Sequence, residues 1–233
     1  MGGMITLDLD RQTVREINQY LHHDLVHAGA DAQVEILNPR GVHNIAVGLD
    51  LPAHVDIRGH AGYFTAGMNK QARVTVHGNV GWSLAENIMS GEVRVKGCAS
   101  ECAGASGHGG LVVVEGDASS RCGISMKGCD IVVGGGVGHM SAFMAQAGTL
   151  LVCGDAGPSL GDSLYETVIY VKGRIHSLGA DAREEPLTAD DRARIAGLLG
   201  AARLKHDPGS FKRVASARAL YHWHAGADHK AYS

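Results

Sequence analysis

The chain has 233 residues, 33 of them glycine, and its 21 Lys and Arg against 24 Asp and Glu give a formal net charge of −3. Glycine at about twice its usual share of roughly 7% implies an architecture with many tight corners or close backbone approaches. The near-balanced charge leaves no nucleic-acid footprint, and no apolar run reaches the ~18 residues of a membrane span. Five cysteines, an odd number without a C-x-x-C pair, suit a reducing cytoplasm rather than a disulfide framework.

Residues 13–28 read as an amphipathic helix. Thr13 and Glu16 have capping-box spacing, Val14, Ile17, Leu21 and Leu25 form one apolar stripe, and Gly29 is a stop. His23 and His27 would share a face at metal-ligand spacing, but no third ligand accompanies them. A solvated or interface face is the plainer reading. Residues 33–48 read as a strand, a Pro-Arg-Gly turn and a second strand. Residues 1–38 are therefore expected to form a helix and a capping strand over the first turn of a repeat region.

From 55 to 173 one pattern recurs: VDIRG, VTVHG, VRVKG, VVVEG, IVVGG, LLVCG and IYVKG. The closing glycines Gly59, Gly78, Gly97, Gly116, Gly135, Gly154 and Gly173 are each 19 residues apart, without a slip. A solenoid keeps such a count because each turn stacks on the last. Positions four and two before the glycine are aliphatic and mostly β-branched in every copy, so alternate strand positions line an interior. The expected fold is a single-stranded parallel β-helix of about seven 19-residue rungs, spanning residues 39–180 and roughly 30 Å tall at ~4.8 Å per rung. Hexapeptide helices do not fit a count of nineteen.

The outward column, three before the glycine, changes character along the stack. Asp56, Thr75 and Arg94 are polar, whereas Val113, Val132, Leu151 and Tyr170 are apolar. So long an apolar ladder needs a cover. The C-terminal tail and a partner protein both fit, and the four residues are candidate interface positions. Eleven after the glycine, Lys70, Met89, His108, Lys127, Gln146 and Tyr165 should form a mixed ridge. Phosphate or substrate binding there is the sharper reading and a structural or interface ridge the plainer one, since no carboxylate pair or nucleophile–base pair lies in the column. Cys98, Cys102 and Cys122 fall near neighbouring corners; packing inside or beside a narrow solenoid is preferred over a metal or cluster site. IVVGGGVG at 131–138 fails the full dinucleotide fingerprint, and the repeat itself accounts for its glycines.

The pattern stops at Gly179. Thr188 caps a helix carrying Ile195, Leu198 and Leu199, and a second helical segment is expected from about 210 to 221. Residues 181–233 thus read as a helical tail. Its end, YHWHAGADHK, could bind copper or zinc; an arm that docks Tyr221 and Trp223 on a partner is preferred.

The run from Ala85 to Glu166, with ASECAGASGHGG and RCGISMKG in its loops, resembles the GXGXG domain that ends the large subunit of glutamate synthase. The resemblance covers about residues 35–180. Among free-standing chains it is most similar to the B subunits of N-methylglutamate synthases. The resemblance implies a right-handed β-helix with no catalytic, cofactor-binding or metal residue of its own. It further implies a hetero-oligomer in which one partner is glutamine-amidotransferase-like and another binds FMN and an iron–sulfur cluster. The implied reaction converts methylamine and glutamate to N-methylglutamate and ammonia. The β-helix subunits of formylmethanofuran dehydrogenase and of the formyltransferase/hydrolase complex are the alternative, with a stand-alone binding solenoid behind them. A polysaccharide-cleaving β-helix is disfavoured, because Glu115, Asp117 and Asp155 do not gather on consecutive rungs of one column.

Overall fold

The computed structural model describes residues 4–29 and 32–219. It is a parallel β-solenoid of about seven turns flanked by two helices. One broad sheet runs its length. Its parallel part comprises β1 (Ile5–Asp8), β2 (Ala32–Leu37), β3 (Ala53–Arg58), β4 (Arg73–Val76), β5 (Glu92–Val95), β6 (Leu111–Val114), β7 (Lys127–Val133), β8 (Ala147–Val152) and β9 (Val168–Val171). From β3 to β9 the register is that of the repeat: Val55, Val74, Val93, Val112, Ile131, Leu150 and Ile169 stand in one row. That row is buried in the main core.

A second wall is one residue wide. Ala61, Val80, Ala99, Ala118, Val137, Ala156 and Ile175 pair in parallel from rung to rung. The closing glycines make the corner before it. His60, Asn79, Asp117 and Asp155, one residue after a closing glycine, each accept a backbone N–H from the next rung: those of Asn79, Cys98, Gly136 and Arg174, at 2.7–2.9 Å. A Cβ on Gly135 would lie 2.1 Å from the Asp117 carboxylate oxygen, and one on Gly173 2.3 Å from that of Asp155. At Gly97, Gly135 and Gly173 the clamp side chains thus occupy the space a Cβ needs, and at Gly78 and Gly154 the backbone of the preceding rung does. Asp117 and Asp155 are engaged as clamps two rungs apart.

The third side of each turn bends through alternate left-handed residues: Phe64, Ala66 and Met68, then Ser83, Ala85 and Asn87, and so on up the stack. Residues 42–48, expected as a strand, belong to this bend: Asn44, Ala46 and Gly48 also have positive φ. The Asn44 and Gly48 N–H groups donate to Tyr63 and Gly67 carbonyls on the next turn.

The N-terminal segment is irregular beyond its first turn. The Thr13–Glu16 capping box starts α1 (Val14–Gln19), which loosens into a π turn at Tyr20–Asp24 and tightens into a 3-10 turn at Leu25–Ala28. Ile17, Leu21 and Leu25 nevertheless reach the main core and plug the open end. β1, which has no counterpart in the elements expected from sequence, adds a further strand outside β2.

At the other end two strands close the sheet. β10 (Ala182–Glu185) and β11 (Lys212–Ser216) pair antiparallel, and β11 lies along β9. The helix expected at 210–221 is therefore corrected over its described part. Val214 enters the main core while Phe211 packs on the outer face, the alternation of an edge-covering strand. Between them α2 (Ala189–Ala202) is capped by Thr188 and Asp191, as expected. No helix among the described residues is long and apolar enough to cross a membrane.

Candidate functional site

The outer face of the broad sheet is divided in two, and α2 makes the division. Its side chains Ile195, Leu198, Leu199 and Ala202, with Phe211, bury Val113, Val132, Leu151, Tyr170 and Cys153 in a second core. The four apolar column residues are therefore not open to a partner; the chain's own tail covers them. Their expected role as interface positions is corrected. Apolar area removed from water by α2 is the reason, since a free ladder of four such side chains is unfavourable in solution.

Polar contacts fix both ends of the helix. The Tyr170 hydroxyl donates to the Asp191 carboxylate at 2.5 Å, and Arg213 Nε donates to the same oxygen at 3.2 Å. Burial works against ionisation of Asp191. The Tyr170 and Thr188 hydrogen bonds and the Arg213 charge outweigh it and hold the carboxyl down at about 2. Burial, then the Asp191 carboxylate, pushes the Tyr170 phenol up. At the helix C-terminus, Arg94 donates to the carbonyls of Ala202 and Ala201 at 2.9 and 3.0 Å. That side chain is only 5% exposed and is neutralised by Glu92 and Glu115 at 3.0 and 3.3 Å. It satisfies carbonyls that a helix end leaves open and complements the helix dipole.

Beyond Arg94 the sheet face is open and polar. A groove of about 320 Å³ runs over β2 to β5 up to the end of α2. Asp56, Thr75 and Arg94 belong to the polar column; His54, Arg73 and Glu92 line one side, His77 and Lys96 the other, and Arg203 stands at the end. His77 pairs with Asp56 at 2.5 Å and Lys96 with Glu115 at 2.6 Å. Burial opposes ionisation of Glu115, but Lys96 and Arg94 together keep its carboxyl below the ordinary range. Sequence reasoning found the polar column. It missed Arg73 and Arg203, because the role of one depends on strand register and that of the other on where α2 ends.

The ridge eleven after the glycine exists as a ladder. His108, Lys127, Gln146 and Tyr165 each donate their backbone N–H to the rung before, at 2.7, 2.7, 2.7 and 3.0 Å. The first three are exposed and Tyr165 is half-buried beside Glu166. Tyr221 and Trp223 lie outside the described residues.

A different edge is more distinctive. Five of the eight large apolar side chains most exposed among the described residues are Tyr63, Phe64, Met68, Trp82 and Met89, all on neighbouring turns. His43 stacks on Tyr63 with centroids 4.3 Å apart, and Tyr63 on Trp82 at 5.4 Å. Phe64 and Met68 have φ of 57° and 55°, a region that bulky residues rarely occupy.

Cys122 and Cys129 are buried thiols, each pushed up to about 12 by burial first, and Cys153 to about 11. They are inert packing groups at neutral pH. No set of three or more His, Cys, Asp or Glu side chains among the described residues is placed to hold a metal ion. His22 bonds the Val47 carbonyl at 2.8 Å and ties the N-terminal segment to the first bend.

No family model matches the chain. Over 221 residues it is 51% identical to Protein GlxC of Rhizobium meliloti (strain 1021), spanning 94% of this chain and 96% of that protein.

Proposed function

The chain belongs to the family of Protein GlxC, and on that premise we propose that it is the structural scaffold subunit of a glutamate-synthase-like flavoenzyme complex, most specifically an N-methylglutamate synthase. The observation that carries the reading is the apolar edge. Tyr63, Phe64, Met68, Trp82 and Met89 project 41–51% exposed from a solenoid whose other apolar ladder is already covered. Aromatic and methionine side chains are the residues most favoured at the centre of protein interfaces. On other turns the same two columns hold Ser83, Asn87, Ser106 and Ser125, and bulkier residues only at Arg121, Met140 and Met144. Placing the bulkier Phe64 and Met68 there costs stability, and both side chains still point largely into solvent. A docked subunit supplies the offsetting contact.

In this reading the reacting groups belong to the partners: a glutamine-amidotransferase-like chain and a chain carrying FMN and an iron–sulfur cluster. The scaffold holds the two at fixed separation while glutamate and methylamine exchange to N-methylglutamate and ammonia. The sequence resemblance over residues 35–180 supports this assignment, and the rigid 19-residue stacking suits it. The test is co-expression with the two partner subunits. Trp82→Ser with Phe64→Ser is expected to leave a folded chain that no longer elutes with them. Elution of the double variant in the intact complex, with methylamine-dependent N-methylglutamate formation unchanged, would contradict the assigned edge.

A further inference from the structure

The open groove holds more positive charge than its own side chains neutralise. Its lining includes Arg73, Arg94, Lys96 and Arg203 against Asp56 and Glu92. Arg94 and Lys96 are paired with carboxylates. Arg73 and Arg203 are not: no ion pair or side-chain hydrogen bond within the described residues engages either guanidinium. The reason is specific for Arg73. Its cross-strand neighbour in register is Glu92. The Glu92 carboxylate is turned to Arg94 instead, its Oε1 accepting from both Nε and Nη2 at 3.1 and 3.0 Å. Arg203 is unusual for another reason. It ends α2 in the left-handed conformation, φ 60°, where glycine or asparagine is the usual residue. An arginine there is conformationally unfavourable, and its charge complements the helix terminus, yet the Ala201 and Ala202 carbonyls are already satisfied by Arg94.

We propose that this groove is a binding site for a small oxyanion, a carboxylate or phosphate group held between Arg73 and Arg203 over Thr75. A volume of about 320 Å³ accommodates a ligand of metabolite size. The planar guanidinium fork matches the two oxygens of either group. Arg94 and Lys96, although paired, add to the positive potential at the floor. The Asp56 carboxylate is turned to His77 and the Glu92 carboxylate to Arg94, which limits their repulsion of an incoming anion.

The residues that line the groove all belong to one chain, so the test uses the full chain without partners. Inorganic phosphate and glutarate are titrated separately at low ionic strength by calorimetry, and each arm reports which oxyanion the site takes. Saturable one-to-one binding of at least one probe is expected. Arg73→Gln should weaken it about tenfold, the loss of one charged hydrogen-bonding partner. Arg203→Gly should weaken it similarly while keeping or raising the melting temperature, since glycine suits the left-handed position. Absence of saturable binding of both probes overturns the proposal, as does wild-type affinity in either variant.

Discussion

Tyr170 and Asp191 meet through a 2.5 Å hydrogen bond between the last rung of the apolar column and the first turn of the helix that covers it. The same Asp191 carboxylate closes the capping box with Thr188. One residue therefore both starts α2 and anchors it.

This relationship makes stability depend on acid. Asp191 sits near 2 in the folded chain against an ordinary 3.8, so the unfolded chain binds a proton more readily between those values. Its contribution, about 2 kcal/mol, is fully present above about pH 4 and is lost as pH falls toward 2. Asp191→Asn should remove that part of the acid dependence in urea titrations. Tyr170→Phe should cost about 1–3 kcal/mol at neutral pH, because the charged acceptor loses a donor.

Loosening α2 should expose the second core. Ile195 and Leu198 are 0% and 5% exposed in the cluster that holds Val132 and Leu151. Each truncated to alanine should cost about 2–5 kcal/mol. Ile195→Asp with Leu198→Asp should release the helix outright, read as increased binding of an apolar dye and proteolytic cutting within 189–202.

The corner clamps can be tested by a double-mutant cycle. Gly135→Ala places a methyl 2.1 Å from Asp117 Oδ1, which accepts the Gly136 N–H at 2.7 Å. A loss of about 2 kcal/mol or more is expected from the displaced clamp and overpacking. In an Asp117→Ala background the same substitution should cost measurably less, a coupling expected only of groups in contact.

Phe64 gives an opposite sign. It is 45% exposed at φ 57°, a conformation that asparagine tolerates better. Phe64→Asn should raise the chain's own stability by up to about 1 kcal/mol, measured by urea unfolding of the isolated chain.

The solenoid was legible because 19 residues separate each closing glycine, and stacking forbids insertions within the strands. The turns before it were hidden by insertions. Val34 pairs with Val55, 21 residues on, and Ile5 with Val34, 29 residues on, because α1 and its irregular extension lie between. β11 was read as helix because its two faces serve different cores: Val214 the main one and Phe211 the outer one. An alternation split between two cores has no simple periodic signature. The apolar column was visible in sequence, but whether tail or partner covers it depends on the path of α2 across β6 to β9. The groove escaped notice for the same reason. Arg73 stands beside Glu92 only through strand register, with that carboxylate turned to Arg94, and Arg203 reaches the groove only because α2 ends there.

The scaffold assignment is tested most directly by affinity purification of the tagged full chain from its native host, followed by mass spectrometry and a flavin absorbance scan. Recovery with an amidotransferase-like chain and a yellow, FMN-containing chain is the expected result. Recovery of the chain alone and colourless, at physiological abundance and low salt, would contradict it.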